Sequence, residues 1–255
     1  MEHVKPTRIN NARKARAEKW WRHGEARPGL RTKLAGLQSY IATPETAKHR
    51  FFVRFPVSVA PEHSLIVFPV DDDAIFGILS SRIHSVWALA AGGTLEDRPR
   101  YNSSMTFEKF PFPESLSPSP QPLSRLRARG SDSLLPQAGE GQGMRVVEIS
   151  SAVNILNDLR ENWLNPPEWT VREGNGAAVG NPSASPLRGE CIPEVAVCYP
   201  DRIVAKFGFE AELKKRTLTN LYNAHPAWLD NAHQMLDAAV AKAYGWNDYT
   251  PDMAG

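Results

Sequence analysis

The sequence predicts an α+β chain, and three observations carry that prediction. Short aromatic and β-branched runs flanked by prolines lie between residues 48 and 70. Longer stretches with apolar residues at helical spacing follow at 71–93, 149–164 and 225–246. A tract without aromatic residues separates the first of these stretches from the other two.

In chain order, residues 10–22 (NNARKARAEKWWR) read as a basic helix, with Trp20 and Trp21 closing it against a core. Lys48–Val57 and Ser64–Val70 read as strands. DDDAIFGILSSRIHSVWALAAGG reads as one helix, capped at its start by Asp71 or Asp72 and ended by Gly92 or Gly93. Its apolar stripe is Ile75, Leu79, Ile83 and Trp87. Ile149–Leu164 reads as a helix with Val153, Leu156, Leu159 and Trp163 inward. The last helix carries Pro226 in its first turn and Gly245 at its stop. Trp228, Ala232, Met235, Leu236, Ala239 and Val240 form its expected buried face.

Between these helices, ESLSPSPQPLSRLRARGSDSLLPQAGEGQGMR is rich in Pro, Ser, Gly and Arg. It reads as a disordered insert whose wording resembles translated intergenic repeats of bacterial genomes. The expected organisation is therefore a basic helical segment at 1–26, a mixed α/β domain at 27–113, the insert at 114–147, and a helical C-terminal part at 148–255 interrupted by a loop at 171–192.

With 42% hydrophobic residues the chain can bury a core, and a net charge of +2 excludes a uniformly basic protein. Charge is uneven, however. Residues 1–50 carry twelve Lys/Arg against four Asp/Glu. Two cysteines, Cys191 and Cys198, give no disulfide framework and no zinc quartet. No apolar run approaches the ~18 residues of a membrane span, so a soluble, cytoplasmic protein is expected.

The richest segment chemically is SSRIHSVWALAAGGTLEDRPRYNSSMTFEKFPFPE, residues 80–114. Arg82 and His84 sit on its helix, and Arg98, Arg100, Tyr101, Asn102, Ser103, Ser104 and Thr106 crowd within nine positions. Such side chains donate to phosphates and base edges. Lys48, His49 and Arg50, and the basic run with Arg13, Lys14, Arg16 and Lys19, could track phosphates; a solvated face accounts for them equally well. Asp71–Asp73 reads as a cap rather than a cation site.

This segment resembles the target-recognition region of the SAM-dependent adenine-specific DNA methyltransferases, including the type IIG and type IIL restriction–modification enzymes. The runs LRTKLAGLQSYIATPETAKHRFF and RTLTNLYNAHPAWLDNAHQMLDAAVAKAYGW are similar to the same family's flanking parts. The resemblance implies double-stranded DNA as partner, with Arg82, His84, Arg98, Arg100, Tyr101, Asn102, Ser103, Thr106, Lys48, Arg50, Arg13 and Arg16 as contacts. It also implies S-adenosylmethionine in the full-length family, held by a methyltransferase catalytic domain that this chain lacks. GEGQG at 139–143 lacks the strand–loop–helix setting of a cofactor loop. Asn165-Pro166-Pro167-Glu168-Trp169 resembles the family's catalytic motif but has Glu168 where an aromatic residue would stack on the flipped base. It reads as a helix stop. No catalytic, cofactor or metal residue is therefore expected. A stand-alone nucleic-acid-binding protein and a non-functional gene fragment remain rival readings.

Overall fold

A computed structural model describes residues 14–18, 20, 28–95, 98–113, 140–173 and 202–250. The chain divides into two units, residues 1–36 and 37–255. In the first, α1 (Lys14–Glu18) falls within the expected basic helix, the rest of which, apart from Trp20, lies outside the described residues. A second helix, α2 (Pro28–Leu34), begins on a proline, whose missing N–H is not needed at a helix start. Arg13 and Trp21 lie outside the described residues.

The second unit opens with a three-stranded antiparallel sheet. β1 (Ser39–Pro44) lies between β2 (Val53–Pro56) and β3 (Leu65–Phe68), with Ile41 opposite both Arg54 and Phe68. The centre of β1, Tyr40 to Thr43, is buried on both faces. Both hydroxyls of this centre are satisfied: Thr43 donates to the Phe51 carbonyl at 2.8 Å and Tyr40 to the Val59 carbonyl at 3.0 Å. β1 was not expected, because QSYIATP lacks the dense β-branched pattern of its neighbours.

The helix expected at 71–93 is two helices. Asp72 caps α3 (Asp73–Ser80), accepting from the Ile75 N–H at 2.8 Å. Ser81 then breaks the helix, and α4 (Arg82–Ala91) leaves at a bend of 62°. The Ser81 hydroxyl donates to the Ile78 carbonyl and accepts from the His84 N–H, so one serine closes the first helix and opens the second. Ile75 and Leu79 are buried, and Ile83 and Trp87 pack against the core, so the apolar stripe continues across the break. Together α3 and α4 have the length and apolar content of a bent membrane span, but α3 is buried from Ala74 to Ser80, as in a core helix.

Beyond α4, β4 (Gly93–Leu95) and β5 (Arg98–Arg100) form an antiparallel pair. A π-helical turn (Ser103–Phe107) follows, capped by the Asn102 side chain. α5 (Glu140–Leu164) starts inside the expected insert and packs on both α3 and α8 (Ala227–Ala243). Gly77 marks the α3–α5 contact: a Cβ there would stand 2.4 Å from Ile149 Cγ2. After α5 come the antiparallel pair β6 (Thr170–Glu173) and β7 (Arg202–Ala205), then α6 (Glu210–Lys215) and α7 (Leu218–Ala224). Residues 114–139 and 174–201, which include Cys191 and Cys198, lie outside the described residues.

One core joins these elements: Phe52, Phe68, Ile78, Leu79, Ile149 and Leu236 are all buried in it. Met235, expected inward, is 54% exposed; Leu229, His233 and Asp237 share the inner face of α8 instead.

Candidate nucleic-acid interface

Residues 98–102 alternate between solvent and core. Arg98, Arg100 and Asn102 are exposed, Pro99 is half-buried and Tyr101 is buried. The alternation is that of a strand with one wet face. Backbone bonds from Tyr101 N to the Glu45 carbonyl (2.7 Å) and from Ala47 N to the Pro99 carbonyl (3.3 Å) hold it against the loop after β1. Gly92 allows the close approach, since a Cβ there would lie 2.8 Å from the Arg100 carbonyl oxygen.

On the wet side, Arg100 pairs with Glu45 (2.6 Å from its terminal nitrogen) while its side chain stays 51% exposed. Asn102 Oδ1 accepts from the Ser104 N–H and hydroxyl at 3.1 and 2.8 Å. Ser103 is half-buried and Ser104 exposed.

Five of the expected DNA contacts serve the fold instead. Tyr101, His84 and Thr106 are buried. The Tyr101 hydroxyl and His84 Nε2 lie 3.0 Å apart, and both rings sit in an aromatic cluster with Phe52. Burial, with the Arg50 cation nearby, lowers the His84 pKa to about 3 and so keeps the ring neutral. Burial also pushes the Tyr101 phenol up to about 12. The Thr106 hydroxyl donates to the Asn102 carbonyl, and the Thr106 carbonyl accepts from the Trp87 indole.

Arg50 donates to Thr43 Oγ1 and to the Pro44 and Pro99 carbonyls, and its guanidinium lies 5.1 Å from the Tyr101 ring centroid. Arg82 is bound by Asp237, through both its backbone N–H (2.8 Å) and Nε (2.5 Å), and by Asp230. These two arginines were expected at DNA because a sequence cannot show a carboxylate 155 positions away or three oxygens closing around one guanidinium.

Lys48 is exposed, as expected, and reaches Asn223 Oδ1 at 2.8 Å. His49 Nε2 lies 2.9 Å from the same oxygen. Asn223, and behind it Tyr222 and Arg160, carried no motif in the sequence. Arg16 lies on α1.

The Asn165–Trp169 motif forms a turn after α5. The Asn165 N–H and amide donate to Glu161, while the Pro166 carbonyl accepts from Trp169 N, Thr170 N and Thr170 Oγ1. Trp169 stacks on Phe209, and the Arg216 guanidinium lies 4.2 Å from the Trp169 ring centroid. The Pro166 carbonyl that would accept from an adenine amino group is thus occupied within the protein, and the Asn165 amide is tethered to Glu161. Glu140 to Gly143 of the glycine-rich run belong to α5 rather than to a loop. These residues do not fit S-adenosylmethionine. Among the described residues no His, Cys, Asp and Glu cluster could hold a metal ion. An open apolar groove of about 780 Å³ lies against α4, lined by Trp87, Phe110, Phe112, Tyr244 and Trp246, and among the described residues Arg145 is its one charged lining residue.

Residues 1–114 match the family model described as the MmeI target recognition domain. A curated relative, DNA methyltransferase A of Bacillus subtilis (strain 168), is 24% identical over 190 residues, which is 72% of this chain and 17% of that protein. In the solved structures, the type IIL restriction–modification enzyme MmeI in complex with DNA aligns with a TM-score of 0.54 at 18% identity, covering 98% of this chain and 24% of that one. The chain thus spans a quarter or less of the length of these relatives. The resemblance read from the sequence stands: residues 1–114 are similar in sequence to the MmeI target recognition domain, and nearly the whole chain is similar in fold to a part of the type IIL restriction–modification enzyme MmeI.

Proposed function

We propose that this chain recognises a specific sequence in double-stranded DNA for adenine-N6 methylation carried out by a catalytic domain outside it. The observation that carries the reading is the alternation at 98–102, which turns Arg98, Arg100 and Asn102 outward from a strand inside the family-matched region. Residues two apart on a strand are separated by about 6.6–6.8 Å. Base pairs rise about 3.4 Å each, so such side chains keep step with every second base pair. Arginine pairs bidentately with guanine and asparagine with adenine in the major groove. Arg100 would exchange Glu45 for a base at small cost, because a solvent-exposed ion pair is worth about 0–1 kcal/mol. Lys48, Arg13 and Arg16 supply phosphate contacts that fix register without reading sequence.

S-adenosylmethionine belongs, in this reading, to the catalytic domain of a full-length cytoplasmic protein. Calorimetry on the chain alone is expected to show no saturable SAM binding, and single-site micromolar affinity would overturn that assignment. The main test is a binding selection on random duplexes. The chain is expected to enrich one sequence word, and Arg100→Ala or Asn102→Ala to relax one position in it, by about 1–3 kcal/mol. Arg16→Ala is expected to weaken all duplexes alike. A wild-type chain that enriches no word, or variants that leave the word intact, would sink the proposal.

A further inference from the structure

We infer that Lys48, His49 and Asn223 form a seat for one backbone phosphate of duplex DNA, set over the buried cation Arg160. The inference rests on the recognition reading and extends it to the helical C-terminal part.

Asn223, in the last turn of α7, offers a single oxygen to two cationic or ionisable partners, Lys48 Nζ at 2.8 Å and His49 Nε2 at 2.9 Å. A carboxylate at this position would orient the ammonium equally well and cancel its charge. An amide orients it and leaves the charge in place. Among the described residues Lys48 has no carboxylate partner. With Oδ1 occupied, the group Asn223 has left for a ligand is its Nδ2 donor. Lys48 Nζ, with two N–H groups to spare, and Asn223 Nδ2 therefore converge at one exposed point beside the His49 ring, and no carboxylate among the described residues cancels the charge there.

The layer beneath adds a second, independent feature. The Tyr222 ring lies 6.0 Å from the His49 ring and 5.9 Å from Phe51. Arg160 donates to the Tyr222 hydroxyl and its guanidinium lies 5.3 Å from the Tyr222 ring centroid. Arg160 is only 4% exposed, its Nε has no partner, and its remaining contact is the Phe52 carbonyl at 3.4 Å. No carboxylate pairs with it among the described residues. A buried charge without a counterion is costly, and in a low-dielectric surrounding its field reaches farther than in water. An anion held at Lys48 and His49 would offset part of that cost. The seat is also coupled to the reading strand, because Arg50, next in the chain, donates to the Pro99 carbonyl of β5. A phosphate fixed at 48–49 would thus set the register of residues 98–102.

The test compares wild type with Asn223→Asp and Lys48→Ala. Asn223→Asp keeps both hydrogen bonds but supplies the cancelling charge, and its position is exposed, so the melting temperature serves as a fold control. Duplex affinity is measured against salt, and the His49 ring signals are followed by NMR as inorganic phosphate is added. The expected result for both variants is weaker binding to all duplexes alike, with the salt slope lowered by about one unit and the enriched word unchanged. The wild-type His49 signals should move with phosphate and those of Asn223→Asp should not. Variants with the wild-type slope, together with an unmoved His49, would overturn the seat while leaving sequence recognition standing. A His49 that moves in a chain binding no duplex would instead overturn the recognition reading, and with it DNA as the ligand.

Discussion

The start of α4 and the β5 strand each present an arginine to a carboxylate, and the two meet opposite fates. Arg82 closes on Asp237, which is fully buried, and on Asp230. Arg100 closes on Glu45 in water and stays half exposed. The head groups are identical, so the residue type says nothing about which arginine can meet a ligand. The dielectric around the partner decides. A buried pair is locked because neither charge can be left alone, whereas a surface pair dissolves for little.

Removing each arginine in turn should separate the two sites. Arg82→Ala leaves Asp237 buried without its cation and is expected to cost about 3–5 kcal/mol in urea unfolding. Arg100→Ala should stay within ~0.5 kcal/mol of wild type. Equal losses for the two would refute the distinction.

Acid probes the same locked interior by another route. Burial lowers His84 and His233 to about 3, helped by Arg50 in the first case and Arg160, Arg82 and His225 in the second. Their unfolded-state value is about 6.5, so below that pH the unfolded chain takes up protons that the folded chain refuses. Stability is complete above pH 6.5 and falls as pH drops toward 3. At pH 5 the loss is about 2 kcal/mol per histidine. Asp237, which burial raises, works in the opposite direction at more acid pH. The measurement is denaturant unfolding from pH 7.5 to 5, with His84→Gln expected to remove about half of the slope. An unchanged slope in that variant would show that His84 titrates normally.

Gly92 and Gly93 differ in the same way on the backbone side. A Cβ on Gly92 meets the Ala88 and Arg100 carbonyl oxygens at 2.5 and 2.8 Å, and one on Gly93 meets nothing within 4 Å. Gly92→Ala is expected to destabilise by about 1–3 kcal/mol and to lift β5 off its support. Gly93→Ala should be close to neutral. If thermal melts rank them the other way, the strand is not held where the geometry places it. The smallest stability effect is expected from Asn102→Ala, within ~0.5 kcal/mol, although it should relax one base in the selected word.

Much of the fold was legible because it depends on local rules. Asp72 caps α3, Ile75 and Leu79 face the core, and Asn165-Pro166-Pro167 ends α5, all from short-range pattern. Misses arose where the deciding partner is remote or the signal is double. Ser81 looked like one more polar residue within a helix, although serine also caps, and here it caps two helices at once. β1 stayed hidden because its centre is held by neighbours on both sides rather than by its own composition. In the candidate interface, composition singled out residues 98–106 but not which of them face water. Tyr101 and Thr106 carry hydroxyls fit for DNA, and only the packing of Phe52, Phe68 and Trp87 around them turns those hydroxyls inward.

The locked pair also bears on the order of assembly. Arg82 waits for Asp237, α3 for α8, the Pro111 carbonyl for the Tyr244 hydroxyl and Glu148 for Lys242. These contacts close loops of roughly 90 to 155 residues. Long loops are slow to close, because their entropy is lost before the contact repays it. On a ribosome adding about 5–20 residues per second, the strands and α3 emerge several seconds before α8 can cover them. The part of α3 that α8 covers then stays exposed for that interval, a window in which a chaperone, or a second nascent chain, competes with α8 for the same surface.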